Sequence, residues 1–95
     1  MNPLDEIAAK IIKEQELVIG PLAWSEAAKV AGLRVVNRNT SEVSVFGSDQ
    51  KVVIDRLVAQ YERLFGRASE EVCRRAAAAL VAKLSPSDVP SSLVA

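Results

Sequence analysis

The sequence predicts a small α+β domain, mainly helical, with two N-terminal helices, a β-hairpin and then a long antiparallel helix pair. Three patterns carry that expectation. Val53, Leu57, Tyr61 and Leu64 recur at helical spacing, as do Val72, Ala76, Leu80 and Leu84, and Phe65-Gly66-Arg67 breaks the two series. Val35 and Val36, then Val43 and Val45, flank the turn-forming run Asn37-Arg38-Asn39-Thr40-Ser41. Leu4, Ile7, Ala8, Ile11 and Ile12 lay an apolar stripe along the N-terminal segment.

Each element has its own punctuation. Asn2 can cap the first helix with Pro3 at its first position, where a missing N–H does no harm. Glu6 stands four residues before Lys10 on the solvent side, and Gly20-Pro21 stops the helix. A short second helix from about Pro21 to Ala31 would bury Trp24, Ala27, Ala28 and Ala31, with Gly32 as its stop. The hairpin falls within Leu33 to Phe46; an isolated hairpin is marginal in water, so it must lean on helices or on another chain. Gly47-Ser48-Asp49 supplies the break and cap for the third helix, and Ser69-Glu70-Glu71 the cap for the fourth. Residues 1–84 are thus read as one domain, and residues 85–95, with two prolines and little periodicity, as a flexible tail.

Composition narrows the function. Hydrophobic residues make up 49% of the 95 residues against 25% charged, which suits one globular core. Lys plus Arg and Asp plus Glu both total 12, so the formal net charge is zero and no dominant footprint for nucleic acid or anionic lipid is expected. The acidic N-terminus, Asp5-Glu6, does not suit a signal peptide, and no apolar run approaches the roughly 18–20 residues of a membrane span. The chain is read as cytoplasmic, with Cys73 a buried, reduced thiol.

Catalytic and metal chemistry are expected to be absent. There is no histidine, which removes the usual general base, its nucleophile pairs and the commonest metal ligand. One cysteine cannot build a zinc or iron–sulfur site, and no phosphate-binding or dinucleotide glycine motif occurs. No catalytic, cofactor-binding or metal-binding residue is therefore assigned. The carboxylate pairs Asp5-Glu6 and Glu70-Glu71 are read as first-turn helix charges and not as acid–base pairs. Cys73 precedes Arg74 and Arg75, which would lower a thiol pKa, but its apolar helix face argues for an inert group.

Binding surfaces remain. Arg56, Arg63 and Arg67 fall on roughly one side of the third helix and its exit, a stripe suited to phosphates or an acidic partner, although Lys51, Asp55 and Glu62 mix signs beside it as on a solvated face. Ala76-Ala77-Ala78-Ala79 rings the fourth helix with small side chains, and Ala78, Val81 and Ala82 offer an apolar flank to a protein partner, most simply a second copy. The expected function is a non-enzymatic interaction or regulatory adaptor domain. The alternative is a small DNA-binding regulator using Lys29, Arg34 and Arg38. Ser25-Glu26-Ala27-Ala28-Lys29-Val30-Ala31-Gly32-Leu33 resembles the first helix and turn of a helix-turn-helix, over about nine residues, although Val35 to Thr40 reads as strand and turn where a recognition helix should follow. The terminal Leu93-Val94-Ala95 resembles apolar tails read by bacterial unfoldase–protease systems and PDZ-type termini over three residues, and is read as a frayed end.

Overall fold

Asn2 begins the first helix by a reciprocal cap. In the computed structural model, which describes residues 2–94, helix α1 runs Pro3–Ile19. The Asn2 side chain accepts from the Asp5 backbone N–H at 3.0 Å, and the Asp5 carboxylate accepts from the Asn2 N–H at 3.4 Å. Ile7, Ile11 and Ile12 are fully buried, each stabilising the fold by roughly 1.5–3 kcal/mol relative to exposure.

Helix α2 is shorter than the sequence suggested. It covers Leu22–Ala27 and gives way to turns, so Ala28 and Ala31, expected inside, are exposed, whereas Trp24 and Ala27 are buried. Strands β1 (Leu33–Asn37) and β2 (Glu42–Val45) form the expected antiparallel hairpin, with Leu33 opposite Val45 and Val35 opposite Val43. The hairpin leans on α1. Asp5 Oδ1 accepts from the Val45 N–H at 2.7 Å, so one carboxylate caps a helix and satisfies the outer edge of a strand. At the same open end of the hairpin, Gly32 has φ +90° and lies against Val53; a Cβ there would sit 2.5 Å from Val53 Cγ2.

Helix α3 spans Gln50–Phe65 and is capped by Asp49, whose side chain accepts from the Val52 N–H. Helix α4 spans Arg67–Val81. A single residue separates them: Gly66, at φ +86°, bonds back to the Glu62 carbonyl and reverses the chain. The pair folds back as expected, and α4 packs on both α3 and α1. Two details differ. Because α4 starts immediately after Gly66, Ser69 lies inside the helix, buried, and caps nothing. Leu84 lies beyond the helix, and Leu64, placed by spacing on the inner face, is 46% exposed.

Residues 85–94 do not trail away. Two 3-10 turns, Pro86–Asp88 and Ser91–Leu93, carry the chain back across α3 and α4. Pro90 and Leu93 are buried. Asp55 on α3 accepts from Ser91 Oγ at 2.8 Å, from the Ser92 N–H at 2.9 Å and from Ser92 Oγ at 2.5 Å. Arg74 Nε donates to the Ser92 carbonyl and Lys51 Nζ to the Ser87 carbonyl. Of residues 85–95, read from the sequence as a flexible tail, 85–94 pack as a strap whose backbone is held by polar groups far away in the chain, and Ala95 lies outside the described residues.

Two substitutions test these contacts by chemical denaturation. Asp5→Ala is expected to cost roughly 1.5–3 kcal/mol, the range for hydrogen bonds to a charged group, while Glu6→Ala at the exposed neighbour changes stability by less than about 0.5 kcal/mol. Gly32→Ala is expected to exceed Gly47→Ala by about 1–3 kcal/mol, because only at Gly32 does the added methyl meet packed atoms.

Candidate functional site

Two surface depressions gather six of the nine residues singled out from the sequence, and they share no lining residue. The larger is a groove of about 670 Å³ between α4 and the C-terminal strap. Its apolar lining includes Ala78, Val81 and Ala82 from α4 and just beyond, with Leu84, Val89 and Leu93 from the returning chain. The ring of alanines explains the opening. Ala77 is buried against the core, whereas Ala78 and Ala82 face outward with side chains too small to fill the space below the strap.

Polar groups mark one end of this groove. Arg74 is held by Glu70, by Glu71 at 2.9 Å and by the Ser92 carbonyl, so its charge is spent inside the molecule. Arg75 also lines the groove and makes no ion pair among the described residues.

The smaller depression, about 340 Å³, lies between the end of α2 and the middle of α3. It joins residues that the sequence had placed in separate groups: Lys29 from the DNA-binding candidates, and Arg56 and Arg63 from the arginine stripe. Arg67, the third of that stripe, stands apart at the first position of α4, exposed. Of the other DNA-binding candidates, Arg38 at the hairpin tip donates to the Pro21 carbonyl at 3.2 Å, and Arg34 lies exposed on β1. After α2 come turns and then β1, so no recognition helix follows the helix-turn-helix-like segment.

Hydrogen bonds order the smaller site. Arg63 Nη2 donates to Gln60 Oε1 at 2.7 Å, Gln60 Nε2 donates to Glu26 Oε1 at 2.7 Å, and Lys29 Nζ donates to Glu26 Oε2 at 2.9 Å. Arg56 Nη1 reaches across to the Ala31 carbonyl at 3.3 Å. The bonds from Lys29 and Gln60 hold the Glu26 carboxyl below its ordinary range, so the carboxylate persists into mildly acidic solution.

Other reactive types are buried or neutralised. Cys73 is buried and accepts from Gln15 Nε2 at 3.3 Å, and the same amide donates to the Ser69 carbonyl at 3.0 Å. Burial pushes the thiol up to about 11, away from a reactive thiolate. Tyr61 donates to the Ala23 carbonyl at 2.7 Å, and burial raises its phenol well above the ordinary value. Glu62 and Glu70, a pair not apparent in the sequence, face each other across the Gly66 reversal; a proton shared between the two carboxyls would sit on Glu62, which is raised, while Glu70 is lowered. Opposed shifts of this kind also occur in acid–base pairs, but Glu62 is exposed and Glu70 is tied to Arg74. No cluster of three or more Cys, Asp or Glu able to hold a metal occurs among the described residues. Nor is any described helix long and apolar enough to cross a membrane.

No protein-family model matches the chain, and neither a curated protein nor a solved structure matches it.

Cys73 offers a direct check. At pH 8 its modification by a thiol reagent is expected to be limited by opening of the fold, with rapid, complete labelling only in denaturant; fast labelling of the native protein would contradict its burial. Because the folded thiol titrates near 11 against an ordinary 9.0, its stabilising share is complete below pH 9 and is lost as pH rises through 11.

Proposed function

We propose that this chain is a non-enzymatic interaction module that seats an apolar segment of a partner protein in the groove between α4 and the C-terminal strap, with a second copy of the chain as the simplest partner. The observation that carries this is the convergence of Ala78, Val81 and Ala82 with Leu84, Val89 and Leu93 on one apolar groove of about 670 Å³. A helix surfaced with alanine lets another backbone approach closely, so contact area is gained with little side-chain ordering. Arg75 at the rim can pair with a carboxylate on the incoming segment. Assignment to the cytoplasm rests on the lone, buried, unoxidised cysteine.

Sedimentation equilibrium over a range of concentrations tests self-association. A concentration-dependent dimer that Ala82→Arg abolishes is expected; a compact monomer at tens of micromolar removes the second-copy assignment. For a different partner, a photo-crosslinking residue at Ala82 is expected to trap one defined protein, while the same residue at Glu42 on the hairpin traps none. Equal, indiscriminate labelling at both positions would sink the groove as an interface.

A further inference from the structure

From the Lys29, Arg56 and Arg63 cluster we infer that the depression between α2 and α3 is a binding site for a small phosphate-bearing anion, separate from the groove on α4. Three cations, one on the turn after α2 and two on α3, border a space of about 340 Å³, and one carboxylate, Glu26, bonds into the cluster. Glu26 is already engaged by Lys29 and Gln60, which leaves the two guanidinium groups to neutral acceptors: the Ala31 carbonyl for Arg56 and the Gln60 amide oxygen for Arg63. A cation held by neutral acceptors keeps its charge available, and an anionic oxygen is a stronger acceptor than either.

The arrangement is preorganised. The chain from Arg63 through Gln60 to Glu26 and Lys29 fixes the heads of residues that would otherwise be mobile, so little ordering remains to be done on binding. Val30, Ala31 and Ala59 supply short side chains between the cations, leaving room for a ligand. Two guanidinium forks suit the paired oxygens of a phosphate or pyrophosphate group.

Size and charge distribution favour a small ligand over nucleic acid. The volume lies at the lower end of the range for small-molecule sites. A duplex needs cations spread along successive phosphates, whereas Arg34 and Arg38 lie outside this depression and the whole chain carries no net charge.

The test is titration of the full chain with inorganic pyrophosphate at low ionic strength, read by calorimetry and by backbone amide NMR. Saturable one-to-one binding is expected, with the largest shifts at residues 29–31 and 59–63. Arg56→Gln with Arg63→Gln is expected to weaken binding at least about tenfold, since charge-assisted bonds are lost. Should that double variant lose its native spectrum, Lys29→Gln alone carries the same test and is expected to weaken binding severalfold. Glu26→Gln removes the opposing charge and is expected to tighten binding, an effect that a purely structural role would not produce. Absence of saturation by about 10 mM pyrophosphate, or affinity indifferent to all these substitutions, overturns the proposal. Tighter binding of a twelve-base-pair duplex with a steep salt dependence would instead make the cluster part of a nucleic-acid surface.

Discussion

The carboxylate of Asp55 decides what the surface of this molecule looks like. It stands partly buried on α3 and receives three hydrogen bonds from Ser91 and Ser92, so the last turn of the chain is held where Pro90 and Leu93 can be buried. Arg74 completes the clamp from α4 by donating to the Ser92 carbonyl while Glu70 and Glu71 hold its guanidinium. Without that strap the outer side of α4 would be a bare row of alanines. With it, the same alanines become one wall of a groove whose other wall is Leu84, Val89 and Leu93. A small core makes such a strap valuable, since one additional buried leucine contributes roughly 1.5–3 kcal/mol.

The remaining architecture follows from a few chain reversals with little slack. Gly66 alone joins α3 to α4, which forces the two helices side by side and leaves α4 to fill the space beside α1. Asp5 ties the start of α1 to the edge of β2, so the hairpin is fastened to the helical layer at its strand edge as well as through its apolar face. One cost is visible within that layer. Gln15 is fully buried and its amide N–H groups are used, but its Oε1 has no hydrogen-bond partner among the described residues. A buried acceptor left this way costs roughly 1–3 kcal/mol.

Much of the fold was legible because its signals are local. Asn2 with Pro3, Gly20, Asp49 and Gly66 each mark a helix end by backbone chemistry that neighbours in sequence determine. What escaped was non-local. Serines and prolines at 85–92 read as loose since their partners, Lys51, Asp55 and Arg74, lie 18 to 37 residues away. Ser69 has the residue type of a cap, but the one-residue connection moves the helix start ahead of it. Of the groove lining, Ala78, Val81 and Ala82 were singled out from the alanine run and the surplus apolar perimeter, because they follow one another along α4 and its end. Lys29 with Arg56 and Arg63 could not be grouped, since only the packing of α2 on α3 makes them neighbours. Arg67, grouped with them by spacing, belongs to the next helix beyond the Gly66 turn.

Amide hydrogen exchange at Ser92 and Leu93 probes the clamp itself. The Ser92 N–H donates to Asp55 and the Leu93 N–H to the Pro90 carbonyl, so both are expected to exchange far more slowly than in an unstructured peptide, and to lose that protection in Asp55→Ala. Exchange of both amides at the rate of a free chain in the native protein would mean that the strap is not held, and that α4 has no groove.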